Sequence, residues 1–252
     1  MILAAIFYLV FGSTALLFYK VVSVRSVEAE SIAIERIAAF VSNGEGDVVS
    51  IGKGIARQNL VQSMVFVAEM TTEHTAELMG IIMKYYHIES YMLNRIFRSR
   101  NALKRAYMLS QLSRLPISML AALRVEPLVR SECVRVGFCA LMCLFSVTPV
   151  RGVATLARLP YRLSRRDIAE LLSVINRGSC PLPYTPLLLS ENYNLQLLGI
   201  YLVRRFGIVE SRSEIVCIVK NRCSPLRDDA LLTLASFGEF VLEQECGKSI
   251  LV

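Results

Sequence analysis

Three cysteines lie close together in the stretch SECVRVGFCALMCLF, residues 131–145. Cys139 and Cys143 are four apart, so on a helix both thiols share one face, a spacing that two metal ligands can use. A zinc site needs about four ligands, arranged in close pairs such as C-x-x-C. The chain contains no such pair: Cys217 and Cys223 are six apart, Cys180 and Cys246 stand alone, and the only histidines, His74 and His87, are distant in sequence. A cysteine outside a disulfide is among the most buried residue types and packs as a small apolar group. The stretch therefore reads as a packing surface, with no metal and no cofactor.

Other chemistry is equally thin. EHTAE brings Glu73, His74 and Glu77 together but is not H-E-x-x-H. His87, in KYYHIES, suits a helix end or an inter-helix junction better than a catalytic pair. The glycine-rich SNGEGDVVSIGKG lacks the G-x-x-x-x-G-K-[ST] order of a phosphate loop, and Ile55 follows Gly54. It reads as a loop or joint. Neither a G-x-S-x-G elbow nor a cysteine–histidine signature occurs. The expectation is a chain that is not an enzyme.

The elements that carry these residues begin with MILAAIFYLVFGSTALLFY, residues 1–19, which has no charged side chain. A helix of that length rises roughly 28 Å, close to the hydrocarbon thickness of a bilayer. No basic residue precedes the run, so it reads as an uncleaved transmembrane anchor rather than a signal peptide. Lys20 and Arg25 follow it, which by the positive-inside rule places the rest of the chain in the cytoplasm. Seven cysteines, an odd number spread through apolar stretches, also argue against an extracellular disulfide framework. The predicted localisation is a single-pass membrane protein with a cytoplasmic C-terminal domain. Charged residues make up 19% of the chain, too many for a polytopic bundle.

Residues 20–54 then read as a juxtamembrane helix and the glycine-rich loop. In the helix, Ile32, Ile34, Ile37, Ala38 and Val41 recur at near-helical spacing. Residues 55–252 show an internal period. NALKRAYMLSQL, CVRVGFCALMCL, SRRDIAELLSVI, NLQLLGIYLVRRF and LRDDALLTLASF align Lys104, Arg135, Arg166, Gln196 and Arg227, about 31 residues apart. Ser131, Ser164, Ser190 and Ser224 precede four of these helices and suit capping; Pro116, Pro149 and Pro181 follow the first three. ISMLAALR, RGVATLARL and RSEIVCIVKNR read as second helices. A single helix pair cannot bury its own apolar face, so the pairs must stack.

Aliphatic–basic dipeptides that open a helix, as in CVRVG and LRDDALLTLASFG, resemble short HEAT-type repeats of the armadillo-like superfamily. The resemblance covers residues 100–242 well and 55–99 weakly, and it departs at Gln196, where a basic residue is usual. It implies an all-α chain: an N-terminal transmembrane helix followed by an α-solenoid of HEAT-like helix pairs.

Net charge is +7, and no acid occurs between Glu89 and Glu126, where Arg95, Arg98, Arg100, Lys104, Arg105, Arg114 and Arg124 all fall. A second basic group is Arg158, Arg162, Arg165 and Arg166. Lys104, Arg135, Arg166 and Arg227 share one repeat position and are expected to form an internal ladder, each pairing with an acid or carbonyl of the next repeat. Arg95, Arg98 and Arg100 precede the regular repeats and are the candidate interaction residues, for an acidic or membrane-associated protein partner. The expected function is a membrane-tethered scaffold for protein–protein interaction on the cytoplasmic side. A nucleic-acid-binding, glycosylase-like protein is the first alternative, disfavoured by the anchor and the lack of a catalytic acid. A tetrapyrrole lyase or chaperone is the second, and rests on family analogy alone.

Overall fold

The computed structural model describes residues 27–42, 47–70, 75–175, 182–238, 241–242 and 250–251. The chain divides into two compact units, Met1–Ile117 and Ser118–Val252. The division falls inside the stretch that the period suggests is one solenoid.

The first unit holds α1 (27–42), α2 (Val48–Ile51), α3 (Arg57–Met70), α4 (Ala76–Tyr85), α5 (Ile88–Arg98) and α6 (Ala102–Leu112). In α1 the buried stripe is Ala33, Ile37, Phe40 and Val41, at i, i+4, i+7 and i+8, while Ile32 of the expected stripe is exposed. Two polar ties fix α1: Arg36 donates to the carbonyls of Ser50 (2.9 Å) and Lys53 (3.3 Å), and Ser63 of α3 donates to the Glu30 carbonyl (3.1 Å). Helix α3 packs on α4 and α6, and α5 lies against both α4 and α6.

The described part of the glycine-rich stretch is more ordered than a loop. Asp47 caps α2 by accepting from the Val49 amide at 3.0 Å. The Tyr86 hydroxyl accepts from the Gly52 amide (2.7 Å) and donates to the Val48 carbonyl (2.7 Å). A Cβ at Gly52 would stand 2.5 Å from the Tyr86 ring, so this glycine makes room for a phenol. His87 follows with φ 52°, in the left-handed region, and joins α4 to α5.

The second unit holds α7 (Met119–Val125), a 3-10 turn (Glu126–Arg130), α8 (Val134–Val147), α9 (Pro149–Leu156), α10 (Arg165–Ile175), α11 (Tyr184–Leu188), α12 (Tyr193–Phe206), a second 3-10 turn (Val209–Ser211), α13 (Arg212–Lys220) and α14 (Arg227–Ser236). Helices α8, α10, α12 and α14 form a row, each packed on the next. Their partners pack beside them: α7 and α9 on α8, α11 on α12, and α13 on α14. This is the helix, turn, helix arrangement that the period predicts. A short antiparallel strand pair, β1 (Val241–Leu242) with β2 (Ile250–Leu251), ends the chain where the sequence reads as helical solenoid.

Helix α8 is buried continuously from Val136 to Phe145. It carries the cysteine stretch, and Cys139 and Cys143 are fully enclosed. A Cβ at Gly137 would lie 2.6 Å from the Val129 carbonyl oxygen, so only glycine allows α8 to sit this close to the first 3-10 turn.

Of the four expected serine caps, only Ser164 is one. It accepts from the Asp167 amide (3.2 Å), and the Asp167 carboxylate accepts in return from the Ser164 amide (3.0 Å), a reciprocal capping box. Ser131, Ser190 and Ser224 instead accept from the amides of Cys133, Asn192 and Leu226, two residues on. Those three residues are the N-caps of α8, α12 and α14.

The membrane architecture is corrected. The anchor expected at residues 1–19 lies outside the described residues, and among the described residues no helix is long and apolar enough to cross a membrane. Helices α3, α8 and α12 have 14 residues each. That is about 21 Å of rise against a hydrocarbon core of about 30 Å. Residues 27–42 carry Glu28, Glu30, Glu35 and Arg36. A transmembrane helix, single-pass localisation and a cytoplasmic orientation read from it therefore have no support in the fold.

The Gly52–Tyr86 contact yields a prediction. Gly52→Ala should destabilise the first unit by about 1–3 kcal/mol, the usual cost of forcing an atom into a packed site. Tyr86→Phe should cost about 1–2 kcal/mol through the unpaired Gly52 amide. In a Tyr86→Ala background the alanine at 52 should cost little. Chemical denaturation of the four variants against the wild type checks this; a full Gly52→Ala cost in that background would refute the contact.

Candidate protein-interaction surface

The three candidate arginines lie in the first unit, at the end of α5 and just beyond it. They are not equivalent. Arg95 is half-buried and donates to the Tyr91 hydroxyl and to Gln58 of α3 (3.2 Å). Its guanidinium sits 5.4 Å from the centre of the Tyr91 ring, and that of Arg57 sits 6.0 Å from the same ring. Arg95 thus ties α5 to α3. Arg98 and Arg100 are exposed, and neither makes an ion pair among the described residues.

Arg95 also lines a small, partly open cavity of about 50 Å³ between α3, α5 and α6. Val61, Met92 and Met108 supply its apolar surface, Tyr91 and Tyr107 its aromatic walls, and Arg95 and Lys104 its positive charge. Leu103 is 75% exposed and Tyr107 53% exposed. Gln111 donates to the Tyr107 hydroxyl at 3.0 Å and orients the ring. Other members of the basic run serve the fold: Arg105 donates to the Ser99 carbonyl, and Arg114 pairs with Glu69.

The repeat position of the expected ladder does several different jobs. Arg135 of α8 forms a two-pronged ion pair with Glu170 of α10, both prongs at 3.1 Å. That carboxylate holds the Arg135 pKa above its ordinary value. Gln196 and Arg227 each donate to the carbonyl eight residues earlier, Leu188 at 3.0 Å and Val219 at 3.2 Å, near the ends of α11 and α13. Lys104 lines the cavity of the first unit. Arg166 is exposed, and its neighbour Arg165 reaches the α14 carboxylate of Asp229 at 2.9 Å. Asp229 is 2% exposed against 58% for Arg165, and the Tyr201 hydroxyl of α12 lies 3.5 Å from it.

Sequence reasoning named Arg165 only as a member of a basic group and missed its pairing with Asp229, beside Tyr201. An acid at the buried position of the last repeat, where Ile168 stands in α10 and Leu198 in α12, was the available signal. The described thiols differ in burial, with Cys133 half-buried between the two extremes. Cys139 and Cys143 are buried and Cys217 and Cys223 exposed, and burial raises the Cys143 pKa well above the ordinary thiol value. Among the described residues no group of histidines, cysteines and acids could hold a metal ion. His74, Cys180 and Cys246 lie outside the described residues.

Two predictions follow from these pairings. Arg165→Gln should destabilise the second unit, because it leaves the Asp229 carboxylate buried without its cation. Adding Asp229→Asn should restore most of the loss, whereas Arg135→Gln, at an exposed pair, should cost no more than about 1 kcal/mol. Denaturant titrations decide it: simple additivity of Arg165→Gln and Asp229→Asn would refute the coupling. For the thiols, iodoacetamide should modify Cys217 and Cys223 in the folded protein, and Cys139 and Cys143 only after unfolding. Because folding raises the Cys143 pKa, its contribution to stability is full below the ordinary thiol value of 9.0 and falls as pH rises above it. Mass spectrometry of the alkylated protein reads the first effect, and alkaline denaturation the second.

The chain matches no family model, no curated protein and no solved structure. The resemblance to HEAT-type repeats is corrected accordingly: it rests on a period and an aliphatic–basic pattern, and the residues at that pattern do not share one role in the fold. What stands is helix-pair packing in a predominantly helical second unit that also holds a short strand pair.

Proposed function

We propose that this chain is a protein-binding scaffold that acts without catalysis, and that an acidic partner surface docks on the α5–α6 patch of its first unit. One observation carries the reading: Arg98 and Arg100 are exposed with no ion pair among the described residues, beside exposed Leu103 and Tyr107 and a small apolar cavity. Arginine and aromatic residues are over-represented where proteins bind each other, and a few of them dominate the affinity. The cavity takes one aliphatic side chain of the partner, while the arginines attract its acids and orient the encounter.

The test is a photo-crosslinking residue at Leu103 or Tyr107 in the full chain, in cells. A discrete adduct is expected, weakened at least several-fold by Arg98→Glu with Arg100→Glu and by added salt. The melting point of that double variant should not move, since exposed substitutions usually cost little. Arg95→Glu should instead lower it, because Arg95 holds α5 on α3. An adduct that is indifferent to the double charge reversal would refute the proposal.

A further inference from the structure

Helix α4 buries one face in the first unit and leaves the opposite face open. Met79, Ile82 and Met83 are buried, while Ala76, Glu77, Ile81, Lys84 and Tyr85 are exposed. Glu77, Ile81 and Lys84 stand at i, i+4 and i+7 and form one stripe, with Gly80 on one flank and Tyr85 on the other. Ile81 and Tyr85 each keep 49% of their surface exposed, so the stripe is apolar at its centre. The Tyr85 ring is held edge-on to Tyr86, at 5.0 Å between ring centres.

Nothing in the chain's own packing calls for Gly80. It lies in the interior of a ten-residue helix, where glycine is disfavoured against alanine. Its φ is not positive, and a Cβ placed there would meet nothing within 4 Å. Gly52 and Gly137 differ, because a Cβ at either would collide with an atom of this chain. A side chain missing from an open helix face leaves room for a neighbour from outside.

The stripe is complementary to itself. Two copies of α4 laid antiparallel, about a two-fold axis between Gly80 and Ile81, bring Ile81 of each over Gly80 of the other. The same axis sets Tyr85 against Ala76 and Lys84 against Glu77. Large meets small in both apolar pairs, and opposite charges meet in the third. Glu77 and Lys84 form no ion pair among the described residues, so both charges are free to pair across the axis. A parallel pair would instead set like charges together. The helix dipole also favours an acid in the first turn and a base in the last, but it is indifferent to a glycine and to the place of the tyrosine.

We infer that the open face of α4 is a self-association surface, on which a second copy of this chain docks antiparallel with Ile81 over Gly80 and Lys84 against Glu77. A ten-residue helix face offers less than the roughly 800 Å² per partner of a stable interface, so the dimer is weak and depends on concentration. The surface uses no residue of the α5–α6 patch, and its test does not depend on that patch.

Sedimentation equilibrium of the full chain, over a concentration series at low salt, reads the dimer directly. The wild type should show a monomer–dimer equilibrium. Glu77→Lys and Lys84→Glu should each weaken it roughly fivefold, since either reversal sets like charges together at two symmetric contacts. An equimolar mixture of the two variants should associate at least as tightly as the wild type, because every contact between unlike copies again joins opposite charges. Gly80→Gln should abolish the dimer, while its melting point at high dilution holds or rises. A monomeric wild type, association indifferent to Gly80→Gln, or charge variants that fail to complement on mixing would each overturn the inference. So would a lower melting point for Gly80→Gln, which would give the glycine a role inside the chain.

Discussion

The second unit depends on enclosing one helix almost completely. From Val136 to Phe145 every residue of α8 is buried, and α7, α9, α10 and the first 3-10 turn close around it. A helix surrounded in this way cannot present a polar face, which is why its sequence looks too apolar for an ordinary amphipathic helix. It also cannot be bulky on every side. Gly137, Cys139, Ala140 and Cys143 are the small members that let neighbours approach, while Phe138 and Phe145 fill the wider gaps. Sulfur here supplies volume and low polarity, and its reactivity is suppressed by the same burial that makes it useful.

Polar groups are arranged around that core by the number of hydrogens they can donate more than by their charge. Gln196 and Arg227 occupy equivalent positions and satisfy equivalent carbonyls. Helix ends leave carbonyls without partners, and any side-chain donor within reach can serve them. Charge matters at Arg135 and Arg165, which face carboxylates, and at Arg98 and Arg100, which meet none among the described residues. One residue type thus holds helices together at some sites and faces solvent at others.

The period of about 31 residues was legible because each repeat rebuilds the same local pattern of turn, cap and apolar stripe. What the repeat position does was not, because its partner lies one or two helices away. Arg166 shares the repeat position of Arg135 and Arg227, yet its neighbour Arg165 makes the pair with Asp229: consecutive helical residues point about 100° apart, and a period does not reveal which of two adjacent arginines faces a partner. Arg98 and Arg100 could be read as exposed cations from the lack of nearby acids. The tie from Arg95 to Gln58 could not, since 37 residues separate them. The division at Ile117 was hidden because Pro116 looks like any other turn between paired helices. A long uncharged run at the start suggested a membrane by composition alone, and the described helices lend that suggestion nothing.

The link from Arg165 to Asp229 passes over α12 to join helices that are not neighbours in the row. Stacked repeats are usually treated as a one-dimensional chain in which each unit feels only the adjacent ones, and the last unit frays first. Here the terminal helix cannot peel away alone, because its departure would strip a buried carboxylate of a counter-charge supplied two helices back. The end of the array is therefore bound into the cooperative unit of its interior, and α10, α12 and α14 should melt as one block.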